Sequence, residues 1–151
     1  MNATPDNELT SRVIDCVAEV HRQLGPGLTR DVYETCVAME LTKARLRFER
    51  GRVLQMVYDG HRLDYRCQAD LIVADSLLLQ VEAADEIELT HEQRMRTCLW
   101  MGGLTLGLLL NFNVVEMDEG ISRITGYVAG DQTEPSPEHD VFDDPDLGST
   151  L

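Results

Sequence analysis

Asp70, Gln80 and Glu82 are polar residues at the borders of one of the most apolar stretches of the chain, A-D-L-I-V-A-D-S-L-L-L-Q-V-E-A from Ala69 to Ala83. Polar groups in such company are costly unless they pair, bind an ion or reach an edge, so these three form the most informative polar set in the sequence. Leu71-Ile72-Val73 and Leu77-Leu78-Leu79 flank Ala74-Asp75-Ser76, which predicts two adjacent core strands joined by a turn. A three-residue turn sets Asp70 opposite Gln80, with Glu82 two residues along on the same face. A two-residue turn sets Asp70 opposite Val81 and separates the set. The residues alone leave both registers open.

The elements that must position these groups follow from periodicity. Leu9, Val13, Cys16, Val17, Val20 and Leu24 recur at steps of three and four and predict a helix. Gly25-Pro26-Gly27 stops it, because glycine suits a left-handed cap and proline cannot continue the hydrogen-bond ladder. A second helix is expected from an N-cap at Thr29 to about Ala44, with Val32, Tyr33, Cys36, Val37 and Leu41 inward. Phe48 to Tyr58 reads as strand, Asp59-Gly60 as a two-residue hairpin turn, and Leu63 to Cys67 as the returning strand. Thr90-His91-Glu92-Gln93 has capping-box form and predicts a third helix closed by Gly102-Gly103. Leu104 to Phe112 reads as a buried central strand and Ile121 to Val128 as a last one. The order predicts one α+β or α/β domain over residues 9–130, after a polar lead at 1–8.

The 151 residues suffice for one domain with a core of its own. A formal charge of −14 argues against broad attraction to phosphate backbones. Seven of the 27 acidic residues lie from Asp131 onward, a segment with neither Lys nor Arg and with three prolines. Residues 131–151 are therefore expected to be a disordered acidic tail, with Val141-Phe142 as a candidate docking pair. Cys16, Cys36, Cys67 and Cys98 show no C-x-x-C or zinc spacing, and the expectation is four free thiols in a reducing compartment. With a polar, acidic N-terminus and no apolar run near the length of a spanning helix, the expected location is cytoplasmic, away from membranes.

V-A-E-V-H-R-Q-L-G-P-G-L-T-R-D-V-Y-E, then Q-A-D-L-I-V, then H-E-Q-R and L-G-L-L-L-N-F-N occur in one order. Over roughly residues 10 to 126 the chain resembles the bacterial GxxExxY family, a branch of the PD-(D/E)XK nuclease superfamily. The resemblance implies a restriction-endonuclease-like core, a mixed sheet of four or more strands flanked by helices. It also implies a metal-dependent phosphodiester-cleaving site where two central strands diverge. The site positions depart from the family pattern. Arg30 stands where the motif has glutamate, while Tyr33 is kept as a supporting residue. Asp70 is kept, but Gln80 replaces glutamate, Glu82 replaces lysine and Arg94 replaces glutamine.

Such nucleases use carboxylates to hold Mg²⁺ and a lysine or its equivalent to orient water or stabilise developing charge. Gln80 offers a carbonyl oxygen without negative charge; Glu82 supplies no cation and is instead a candidate metal ligand or base. Arg30, Arg94, Asp70 and Glu82 together sum to zero charge. The expectation is that one or both arginines fill the cation's place and fork onto the carboxylates. Two functions follow from the resemblance. The first is a non-catalytic nuclease-like domain that binds a protein or nucleic-acid partner and takes no cofactor. The second is a divergent nuclease that holds Mg²⁺ or Mn²⁺ on Asp70 and Glu82, with Gln80 beside them. Uncovered strand edges also leave a homodimer open.

Overall fold

A computed structural model of the chain describes residues 6–126, so the acidic segment from Asp131 and the expected end of the last strand lie outside the described residues. Helix α1 (Asn7–Leu24) begins two residues before the apolar stripe, because Asp6 caps it by accepting from the Leu9 amide at 2.7 Å. Helix α2 (Arg30–Lys43) follows, with Thr29 at its N-cap. Strand β1 (Phe48–Arg50) is short, and the continuous strand expected through Tyr58 is broken at Gly51. Its φ of +72° turns the chain out of one sheet and into another.

Strands β2 (Val53–Tyr58) and β3 (His61–Gln68) form a separate two-stranded hairpin. Asp59 and Gly60 both take positive φ at its tip, as the D-G signal predicts. Strands β4 (Leu71–Val73) and β5 (Leu77–Glu82), helix α3 (Leu89–Gly102), and strands β6 (Leu106–Asn111) and β7 (Ile121–Thr125) complete the order. The main sheet runs β1-β4-β5-β6-β7, with β5 and β6 parallel and the other pairs antiparallel. This is a mixed α/β architecture with helices on both faces of a five-stranded sheet, as expected.

Alternation along the central strands explains the layers. Leu71, Val73, Leu77, Leu79, Val81, Leu108, Leu110 and Phe112 meet Val13, Val17, Tyr33, Val37 and Leu41 from α1 and α2. Ile72, Leu78, Leu109 and Ile124 meet Met95, Cys98 and Leu99 of α3, with Leu54 and Cys67 of the hairpin. A sheet covered on both sides needs near-continuous apolar strands, which is why β5 and β6 lack a polar face over most of their length.

Two expectations are corrected. Helix α3 starts two residues earlier than the Thr90 box implied: Glu88 is the N-cap, and His91 Nδ1 accepts from the Glu88 amide at 2.9 Å. The four cysteines are not all free, since Cys67 and Cys98 form a disulfide joining β3 to α3, their Cα atoms 6.0 Å apart. Hairpin and helix bring together two residues 31 positions apart, which no local spacing reveals. Cys16 and Cys36 are free. The compartment expectation loses the support it drew from four thiols. No helix among the described residues is long and apolar enough to cross a membrane.

Candidate functional site

The β4–β5 pairing decides the register that the residues left open. Leu71 faces Leu79 and Val73 faces Leu77, so Ala74-Asp75-Ser76 is a three-residue turn and Asp70 falls level with Gln80. Ala74 and Asp75 both take left-handed φ, and the Ser76 amide closes the turn on the Val73 carbonyl at 3.0 Å. Asp70 lies just before β4, where the chain leaves the ladder. Its side chain replaces the missing ladder bond: one carboxylate oxygen accepts from the Val81 amide at 2.8 Å, and Gln80 Oε1 accepts from the Asp70 amide at 2.8 Å. Two side-chain bonds thus hold the strands where they diverge.

Helix α2 points its first turn at this gap. Arg30 reaches over the strand end, its Nη2 2.9 Å from Asp70 Oδ2 and 2.6 Å from Glu34 Oε1. Its Nε donates to the Val81 carbonyl at 3.2 Å, and its Nη1 lies 2.8 Å from the exposed Asp31. Glu34 sits one helical turn on, the i,i+4 position at which a carboxylate meets an arginine. Its other oxygen takes Arg50 of β1 at 3.2 Å. The result is an alternating chain, Asp70–Arg30–Glu34–Arg50, with no net charge.

Burial of Asp70 pushes its carboxyl above the ordinary aspartate value, although the Val81 amide and Arg30 pull the other way; Glu34 adds to the rise. For Arg30, partial burial opposes the charge, but the field of Asp70 and the bond to Glu34 outweigh it and raise its pKa. Both shifts keep Arg30 cationic and make the Asp70 carboxylate the costlier partner to hold ionised.

The other expected residues are placed differently. Arg94 is exposed on α3 and makes no ion pair among the described residues, so of the two arginines only Arg30 enters the gap. Glu82 is half-buried at the end of β5, level with Asn111 of β6, and its carboxylate has no hydrogen-bond or ion-pair partner among the described residues. Tyr33 is fully buried, stacked on Phe112 with ring centroids 4.5 Å apart. Its hydroxyl donates to the Gly25 carbonyl at 2.5 Å and accepts from the Leu28 amide at 3.1 Å, tying the Gly-Pro-Gly loop to the start of α2. Tyr33 therefore supports Arg30 by fixing the turn before it.

Glu34, Arg50 and Asn111 escaped the sequence reading. Glu34 has a signal, since it stands four residues after Arg30 on a predicted helix. Arg50 has none, because only the β1–β4 pairing brings it beside Leu71. Asn111 bonds the Ala84 backbone twice, through Oδ1 and Nδ2 at 3.0 Å each, and fixes the exit of β5.

These residues poorly suit a divalent cation as they stand. Asp70 Oδ2 and Gln80 Oε1 are already engaged, a guanidinium occupies the approach to Asp70, and no cluster of three His, Cys, Asp or Glu among the described residues is placed to hold a metal ion. A family model described as the PD-(D/E)XK nuclease superfamily matches residues 7–124. The chain belongs to the PD-(D/E)XK nuclease superfamily. Its nuclease-like domain thus spans α1 to β7, with Asp70, Gln80 and Glu82 around the strand divergence. No curated protein gives a significant match to the chain.

Proposed function

We propose that this nuclease-like domain is a non-catalytic member of the GxxExxY branch, which acts by binding a partner instead of cleaving phosphodiesters. The observation that carries this reading is the Arg30–Asp70 ion pair, which puts a fixed cation beside the one signature carboxylate that the chain retains. A guanidinium neutralises Asp70 without offering a phosphate the open coordination positions that Mg²⁺ supplies. Glu82 in place of lysine removes the second cation of the site. With an overall charge of −14, a protein partner fits better than a long nucleic-acid track.

The test combines Mn²⁺ titration by calorimetry with cleavage assays on single- and double-stranded DNA and RNA. The expected result is no site-specific Mn²⁺ binding and no cleavage by the native chain. The triple variant Arg30→Glu, Gln80→Glu, Glu82→Lys, which restores three of the four changed family positions and leaves the exposed Arg94, is expected to gain Mn²⁺ affinity. Cleavage by the native chain that disappears in Asp70→Ala and Glu82→Ala would overturn the reading and make the domain a divergent Mg²⁺- or Mn²⁺-dependent nuclease using Asp70, Gln80 and Glu82.

A further inference from the structure

The opposite end of the main sheet carries a separate feature. One row of paired residues crosses all five strands there, Phe48, Val73, Leu77, Leu106 and Thr125. At the β1 end of the row, Arg47, Phe48, Arg52, Ile72, Ala74 and Asp75 are among the residues lining an open depression of about 270 Å³. The stretch leading into it, K-A-R-L-R-F-E-R-G-R from Lys43 to Arg52, holds five of the chain's 13 bases and one acid. Arg52 is neutralised by Glu49 and Asp75, and Lys43 by Glu40. Arg45 and Arg47 are exposed and make no ion pair among the described residues. Arg12 donates to the Ala44 carbonyl at 2.6 Å and brings a third guanidinium to the same corner. Unneutralised positive charge is thus concentrated at one place on an acidic protein.

The sequence contains a segment of opposite character. From Asp131 onward it has seven acids and no base, and Val141-Phe142 is flanked by Asp140 and Asp143-Asp144. The described chain ends at Gly126, directly after Thr125 and so at the same sheet end as the depression. Four strand spacings separate Thr125 from Phe48, or about 19 Å. The 16 residues that follow Gly126 up to Phe142 span up to about 53 Å when extended, long enough for the apolar pair to reach the depression without passing the Arg30–Asp70 site.

We propose that the acidic segment from Asp131 docks in cis on the Arg45–Arg47 corner, with Val141-Phe142 seated over Phe48 and Ala74. The segment supplies carboxylates that these arginines do not find among the described residues, and the apolar pair gives the contact a register that charge alone would not.

The experiment uses the full chain with a photoreactive benzoylphenylalanine at position 142. Irradiation followed by peptide mapping should give monomeric products linked to residues 45–52 or 72–75, in a yield independent of protein concentration. The yield should fall severalfold in 1 M NaCl, where screening shortens electrostatic reach to about 3 Å, and in Arg45→Glu/Arg47→Glu. The salt arm needs no variant, and circular dichroism of the double variant verifies its fold. Links in covalent dimers would assign the corner to a second copy. Links elsewhere, an absence of links, or yields indifferent to salt and charge reversal would equally overturn the proposal.

Discussion

At the scale of single residues, Asp70 does work that its position in an apolar stretch only hints at. It serves as the ladder partner of Val81 and as the counter-ion of Arg30. Because burial raises its pKa, the site favours the protonated form more than the unfolded chain does. Asp70 therefore makes the fold lose stability as pH rises from the ordinary aspartate range through the raised folded value, and regain it on acidification. Asp70→Asn should remove that contribution to the pH slope. Its amide oxygen can still accept from Val81, so stability at neutral pH should stay within about 1 kcal/mol of the native chain. Urea unfolding between pH 4 and 8 measures both effects; a native chain that instead gains stability with pH relative to Asp70→Asn contradicts the assignment. Tyr33→Phe should cost about 1 kcal/mol, because the Gly25 carbonyl and the Leu28 amide each lose a partner while the stack on Phe112 remains. A thermal melt together with weakened exchange protection at Leu28 would show it.

At the scale of elements, the arrangement turns on how the strands end. The β4–β5 ladder stops where Asp70 leaves it, and the first turn of α2 fills the gap with Arg30. At the exit of β5 and β6, Asn111 holds the Ala84 backbone while its own carbonyl lies against Gly120. A methyl group at Gly120 would run into that carbonyl, and backbone cannot rotate out of the way. Gly120→Ala should destabilise the protein by about 2–3 kcal/mol, within the range of overpacked cores, and denaturant midpoints give the value. A loss below about 0.5 kcal/mol, typical of a surface site, would mean that the 3₁₀ turn at Met117–Gly120 relaxes freely.

At the scale of the whole molecule, the hairpin β2–β3 lies outside the main sheet and is held to α3 by Leu54 and by the Cys67–Cys98 disulfide. Alkylation of the unreduced protein under denaturing conditions should label Cys16 and Cys36 alone, and four positions after reduction. A Cys67→Ser/Cys98→Ser variant should lose about 3–4 kcal/mol on chain-entropy grounds for a closure of 31 residues. Labelling of all four cysteines before reduction would remove the bridge and restore the expectation of free thiols.

Much of this was legible in the residues, because periodicity, turn chemistry and family motifs are local. The helices, the Asp59-Gly60 turn, the apolar pair β4–β5 and the superfamily all follow from short stretches of chain. The site was half legible: three predicted elements, two strands and a helix, carry Asp70, Gln80 and Arg30, and the residues permitted the register that sets Asp70 level with Gln80 without deciding it. The rest depended on packing. Arg50 and Glu34 complete the charge network only because β1 pairs with β4 under α2; Arg94 stays outside because α3 covers the other face. Gly51 splits one apparent strand between two sheets, and a disulfide joins cysteines that share no local spacing. The residue pattern determined which side chains were costly to bury, whereas only the tertiary structure decided which partner met that cost. Desolvation belongs to the residue, and compensation belongs to whatever the fold brings within about 3 Å of it.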